Sequence, residues 1–168
     1  MENYLKEMLV TLTESGVKFV VGGGVACALQ GVERVTLDLD IAVEVTEENL
    51  NHLREAVDKL GLQPRVPVSL LDIADPQFVR SMIIEKGALV LSVEDFSKPL
   101  RRLDIFLSPA LSYERLAAGA NSLDIGGAQI RVASKEVLME IKSEIQPPRA
   151  KDSFDLQALA KLIEESSE

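Results

Sequence analysis

Cysteine and histidine are nearly absent from this chain, with one of each in 168 residues. A single cysteine, Cys27, excludes an internal disulfide framework and fits a reducing compartment. His52 has no second histidine with which to build a zinc site. Positive charge is also short: 18 Lys and Arg face 27 Asp and Glu, a formal charge of −9. Such a surface repels phosphate backbones and argues against broad, sequence-independent nucleic-acid binding. Any cations used on a phosphate must therefore be gathered locally. Long hydrophobic runs are missing as well. The longest, Phe19–Leu29, has 11 residues and three glycines, too short to cross a bilayer. The opening Met1–Glu7 is acidic and lacks an apolar signal core. These absences predict a cytoplasmic protein without a membrane partner.

What remains is ordinary for a globular domain: 46% apolar and 27% charged residues. At this length a chain buries roughly 70% of its unfolded surface, and no repeat or low-complexity linker divides it. One domain over residues 1–168 is expected. Leu5, Met8, Leu9 and Leu12 stand at helical spacing, with Gly16 just past the end. Val17–Val21 reads as a strand running into Gly22-Gly23-Gly24, then a short buried helix Val25–Leu29 stopped by Gly31. From Val35 to Val43 apolar and polar residues alternate, predicting one long strand. Thr46 caps a helix with Leu50, Leu53, Val57 and Leu60 inward. Leu62–Ser69 is an edge strand weakened by Pro64 and Pro67. Asp75-Pro76 opens a helix ending at Gly87, although Phe78–Ile84 also suits a strand. Ala88–Val93 and Arg101–Leu107 read as strands around a loop at Glu94–Pro99. Ser112–Ala118 is helical, and Leu123–Val132 holds a hairpin at Gly126-Gly127. Ser134 caps a helix to about Glu144, Pro147-Pro148 breaks it, and Lys151–Glu165 forms the last helix, with Phe154, Ala158, Leu159 and Leu162 inward. The expected class is α/β (α+β), a mixed sheet with helices mainly on one face.

Chemistry concentrates around the glycines. Asp38 and Asp40 lie two apart in the alternating stretch, which puts both carboxylates on one face. Two carboxylates so close repel unless a cation neutralises them, and Mg²⁺ or Mn²⁺ suits oxygen ligands. Asp104 stands alone among apolar neighbours in a second strand, and beside the first it would be a third ligand. Three such carboxylates make a two-metal site for phosphoryl or nucleotidyl transfer. The plain alternative is a wet sheet face carrying two aspartates. Gly22-Gly23-Gly24, ending a strand and opening a helix, would present backbone N–H groups to an anion. It could equally be a tight turn.

Val21-Gly22-Gly23, a short helix, then Asp38-Leu39-Asp40-Ile41 resembles the signature of the DNA polymerase β-like nucleotidyltransferase superfamily. Gly31-Val32-Glu33-Arg34-Val35-Thr36-Leu37-Asp38-Leu39-Asp40 is similar to small prokaryotic members, including those related to abortive-infection toxins. Lys142, Arg149-Ala150-Lys151-Asp152 and Asp155 are similar to the Lys and Lys-Asp-x-x-Asp elements of the same group. The resemblance spans roughly residues 17–160 and is most specific in its first block. It implies a nucleotidyltransferase fold and transfer of a nucleoside monophosphate from an NTP to a hydroxyl on a protein or RNA acceptor. Asp38, Asp40 and Asp104 would hold two Mg²⁺ ions, and Asp104 is a candidate to take the acceptor's proton. Gly22, Gly23, Gly24, Arg34, Lys142 and Lys151 would meet the nucleotide. One position departs: members often carry Ser or Thr within or after the glycine pair, where this chain has Gly23 and Gly24. That departure and the small size support a second reading, a weakly active or inactive nucleotide-binding module working with a partner in a toxin–antitoxin-like pair.

Other readings are weaker. Gly22-x-Gly24 with acids about 20 residues on mimics a dinucleotide fingerprint. Against it, Cys27 occupies the third glycine position, the acids sit in an alternating strand, and the chain is short for a separate substrate domain. No Gly-Lys-Ser/Thr follows the glycines, so a P-loop is excluded. Cys27 reads as a small buried hydrophobe and His52 as a surface side chain. Arg101-Arg102 reads as solvent-facing, and Asp152 and Asp155 equally suit a helix start, where carboxylates favour the dipole.

Overall fold

The computed structural model describes residues 3–168. Seven strands form one mixed sheet: β1 (Phe19–Gly22), β2 (Leu39–Val43), β3 (Gln63–Pro64), β4 (Val90–Asp95), β5 (Lys98–Phe106), β6 (Asn121–Ile125) and β7 (Ala128–Val132). Their order is β3-β4-β5-β2-β1-β7-β6. Pairs β1–β7 and β2–β5 are parallel, and the other neighbours are antiparallel. The helices are α1 (Asn3–Glu14), α2 (Gly23–Leu29), α3 (Glu47–Lys59), α4 (Pro76–Lys86), α5 (Tyr113–Ala117), α6 (Lys135–Ser143) and α7 (Ala150–Ser166). None is long and apolar enough to cross a membrane among the described residues.

Local signals set most of these elements. In α1 the expected stripe Leu5, Met8, Leu9 and Leu12 is at most 2% exposed. Thr46 Oγ1 accepts from the Asn49 N–H at 3.1 Å and starts α3. Asp75 caps α4, Pro76 follows, and Gly87 closes it in the left-handed region, φ 62°. The Gly126-Gly127 hairpin forms as expected. Asn49 is a structural residue that no local pattern announces. Buried in α3, it accepts from the Lys18 N–H and donates to the carbonyls of Lys18 and Glu44. It thereby ties the helix to the open ends of β1 and β2.

Four expectations are corrected. The strand from Val35 to Val43 begins only at Leu39, and Val35 and Leu37 are exposed. The antiparallel partner β1 is four residues long and ends at Gly22 opposite Asp40, so residues before Leu39 have nothing to pair with on that side. The loop at Glu94–Pro99 shrinks to a turn, because Asp95 pairs with Lys98 and its Oδ1 accepts from the Ser97 N–H and hydroxyl. Phe154 is exposed. The first inward positions of α7 are instead Asp152 and Asp155, with Leu159 beyond them. The Leu62–Ser69 strand reduces to Gln63–Pro64, at the sheet edge as its prolines require.

Replacing Asn49 with Ala strips three hydrogen bonds from a buried site, and the chain should lose about 2–3 kcal/mol in urea unfolding. A change below 0.5 kcal/mol would mean that Asn49 does not hold α3 to the sheet.

Candidate active site

Strand register builds the site. Gly22 lies opposite Asp40, Asp40 beside Asp104, and Asp104 opposite Ser92, a row across β1, β2, β5 and β4. The flanking Leu39, Ile41, Leu103 and Ile105 point to the other face and are fully buried. The row opens into a cleft of about 340 Å³, the size of a small-molecule pocket. All nine residues expected at the site line it: Gly22, Gly23, Gly24, Arg34, Asp38, Asp40, Asp104, Lys142 and Lys151. Asp38 comes from the loop before β2, not from a strand face shared with Asp40.

A side chain on any of the three glycines would crowd its neighbours. A Cβ on Gly22 would lie 2.8 Å from Phe106 Cε2 and 2.9 Å from Leu116 Cδ2. Gly23 has φ +58°, and its Cβ would collide with Asp40 Oδ2. The place of a side chain on Gly24 is taken by Thr36 Oγ1, at 2.8 Å, and the Arg34 guanidinium. The missing Ser or Thr at position 24 thus has a packing cause.

The three carboxylates differ. Asp40 is driven up to about 7 by burial, then by the charges of Asp104 and Asp38, against smaller opposing pulls from Arg102 and Lys151. Asp38 and Asp40 line the cleft, and among the described residues their side chains have no hydrogen-bond or ion-pair partner. Asp104 is only 4% exposed, and both of its oxygens accept hydrogen bonds. Its Oδ1 accepts from Ser92 Oγ (2.6 Å) and Arg102 Nε (2.9 Å), and its Oδ2 accepts from Arg102 Nη2 (2.8 Å). The expectation that Arg102 faces solvent is therefore corrected; strand spacing of two, which puts Arg102 and Asp104 on one face, was the available signal. Arg101 pairs with Glu7. Among the described residues no three His, Cys, Asp or Glu side chains are gathered as a metal cage.

The cations also separate. Lys142 is 7% exposed, with Nζ 2.9 Å from Asp155 and 3.5 Å from Asp152. Arg34 pairs with Asp155, and Arg149 grips Asp152 through Nε (2.7 Å) and Nη2 (3.1 Å). Both aspartates are fully buried. Burial alone would raise Asp152, yet Arg149 and Lys142 hold it below the usual carboxylate range. Asp152 and Asp155 thus serve as an anchor for three cations at the cleft wall, beyond any helix-dipole role. Lys151 is exposed and forms no ion pair among the described residues. Arg34 Nε is a buried donor without an acceptor among those residues. Cys27 is buried among apolar groups, which push its thiol up to about 11. His52 is half-buried, Nδ1 3.2 Å from the Gly16 carbonyl oxygen.

No protein-family model and no curated protein sequence matches the chain. Solved structures do. The lincomycin-bound lincosamide antibiotic adenylyltransferase LnuA aligns with TM-score 0.62 and 13% identity, over 96% of this chain and 98% of that one. The antibiotic-resistance factor ANT(2'')-Ia in complex with adenylyl-2''-tobramycin gives 0.60 and 16%, over 97% and 89%. An antigenic nucleotidyltransferase-like protein from Paracoccidioides brasiliensis gives 0.59 and 16%, over 96% and 77%.

Two outcomes separate the groups in the cleft. Lys142→Met leaves two buried carboxylates short of a partner and should cost about 3 kcal/mol in chemical denaturation, whereas Lys151→Ala should stay within 0.5 kcal/mol. In metal-free buffer the native state keeps a proton on Asp40 that the unfolded chain releases. That stabilisation is complete below the unfolded pKa near 4 and is lost as pH rises through about 7. Melting temperature should therefore fall between pH 5 and 7.5 by more in wild type than in Asp40→Asn; equal slopes would refute the crowding. The seven-stranded mixed sheet with its flanking helices has the nucleotidyltransferase fold.

Proposed function

We propose that this protein transfers a nucleoside monophosphate from an NTP to an acceptor hydroxyl. The observation that carries the reading is the Gly22–Asp40–Asp104 row, with the side-chain-free turn Gly22–Gly24 directly against Asp40. The donor chemistry fits a hard divalent cation, Mg²⁺ or Mn²⁺: two unengaged carboxylates, Asp38 and Asp40, one of them crowded enough to retain a proton. A bound cation would neutralise the triphosphate and stabilise the charge that develops on its oxygens.

The protein's own groups then have distinct tasks. The Gly22–Gly24 backbone lets phosphates approach closely, and Lys151 and Arg149 meet them from α7 and its N-cap. Lys142 is assigned to holding Asp152 and Asp155, which fix Arg149 and Arg34 at the wall. Asp104 uses three of its roughly four acceptor positions on Ser92 and Arg102. The remaining one, on Oδ2, accepts the acceptor's O–H proton. The freed oxygen bonds to the α-phosphorus, the bond to the β-phosphate oxygen breaks, and pyrophosphate leaves. Leu89, Phe106, Leu111 and Leu116 give the cleft an apolar wall for the body of a base or acceptor. LnuA, bound to lincomycin, and ANT(2'')-Ia, bound to an adenylylated tobramycin, add small hydroxyl compounds to protein and RNA as acceptors to be tried.

The second reading, a weakly active or inactive nucleotide-binding partner in a toxin–antitoxin-like pair, rests on the hydroxyl missing at Gly23 and Gly24 and on the small size of the chain. Thr36 and Arg34 fill the place of a side chain on Gly24 and leave the first reading better supported.

Melting the protein with each NTP, with and without Mg²⁺, tests the assignment. At about 100 times Kd one NTP with Mg²⁺ should stabilise by roughly 2.7 kcal/mol, or about 5–10 °C. The double variant Asp38→Ala/Asp40→Ala should lose the shift. No shift with any NTP would sink the reading, and binding without pyrophosphate release across the acceptors would favour the binding module.

A further inference from the structure

Arg102 holds Asp104 in the manner of a counter-ion. It stands two residues before Asp104 on the same face of β5 and bridges both carboxylate oxygens, at 2.9 and 2.8 Å. Ser92, from the neighbouring strand, takes a further position on Oδ1. The guanidinium is charged at every working pH, and its planar fork matches a carboxylate and fixes its orientation. Its partner is almost completely buried, while the Arg102 side chain is 29% exposed and lines the cleft. A cation reaching the one free position on Asp104 Oδ2 would meet the fixed positive charge of Arg102 beside it. Among the described residues Asp38 and Asp40 have no such ion-pair partner.

Charge supports the same division. Once Asp40 gives up its proton, Asp38, Asp40 and Asp104 less the Arg102 guanidinium leave two negative charges, which one divalent cation balances. We propose that Arg102 stands in for a second metal ion: the cleft takes one divalent cation on Asp38 and Asp40, and Arg102 supplies the other positive charge while orienting Asp104. Arg102 is then a positioning residue. This rests on the nucleotidyl-transfer reading of the cleft and departs from the two-ion site that the sequence resemblance implies.

Mn²⁺ binding counted by electron paramagnetic resonance tests it, with the full chain and saturating α,β-methylene ATP. Wild type and Arg102→Lys should each bind one Mn²⁺ per chain, and Arg102→Met should bind two. Asp104→Asn, which keeps the arginine and removes the carboxylate, should still bind one, within threefold of wild-type affinity. Two Mn²⁺ in wild type, one in Arg102→Met, or none in Asp104→Asn would each overturn the inference and leave nucleotide binding standing. Failure of wild type to bind both Mn²⁺ and nucleotide would instead remove the functional reading and this inference with it. Should Arg102→Met fail to fold, the wild-type and Asp104→Asn counts still decide.

Discussion

The register between β2 and its two neighbours is the constraint on which the rest depends. Leu39 and Ile41 are fully buried and lie beside Leu103 and Ile105 of β5. A slip of one residue would turn these side chains to the cleft and drive Asp40 into the apolar core. Hydrophobic packing on one face therefore fixes the chemistry on the other. The same register sets Gly22 against Asp40, and the close approach of Phe106, Leu116 and Asp40 leaves space for glycine alone at positions 22 and 23.

A second constraint comes from α6 and α7. Asp152 and Asp155 are buried without apolar compensation, a costly arrangement that persists because Lys142, Arg34 and Arg149 surround them. The network links the loop before β2, α6 and the start of α7. It holds three cations beside a cluster of three carboxylates in a strongly acidic chain. An acidic protein can in this way present local positive charge to a phosphate without a basic surface.

The sequence was most legible where local rules and packing agree. The stripe of α1, the caps Thr46, Asp75 and Ser134, and the hairpin at Gly126-Gly127 follow from spacing and turn chemistry. All nine residues expected at the site line one cleft, brought there by the end of β1, the start of α2, the loop before β2, strands β2 and β5, the last turn of α6 and the start of α7. The failures share a cause: pairing partners are invisible in one dimension. Val35–Asp38 alternates like a strand, but β1 ends too early to pair with it. Phe154 reads as a core residue, yet the inward face of α7 begins with aspartates whose cations come from far along the chain. Arg102 is the exception: its partner Asp104 stands two residues on along the same strand face, a spacing visible in the sequence.

The central claim is that Asp38 and Asp40 face a nucleotide seated on the Gly22–Gly24 turn. A crystal structure with Mn²⁺ and α,β-methylene ATP tests it most directly, because manganese is located by its anomalous signal. The account predicts one anomalous peak bridging Asp38, Asp40 and the triphosphate, with phosphate oxygens against the glycine backbone. Nucleotide bound elsewhere, or manganese away from Asp38 and Asp40, would contradict it.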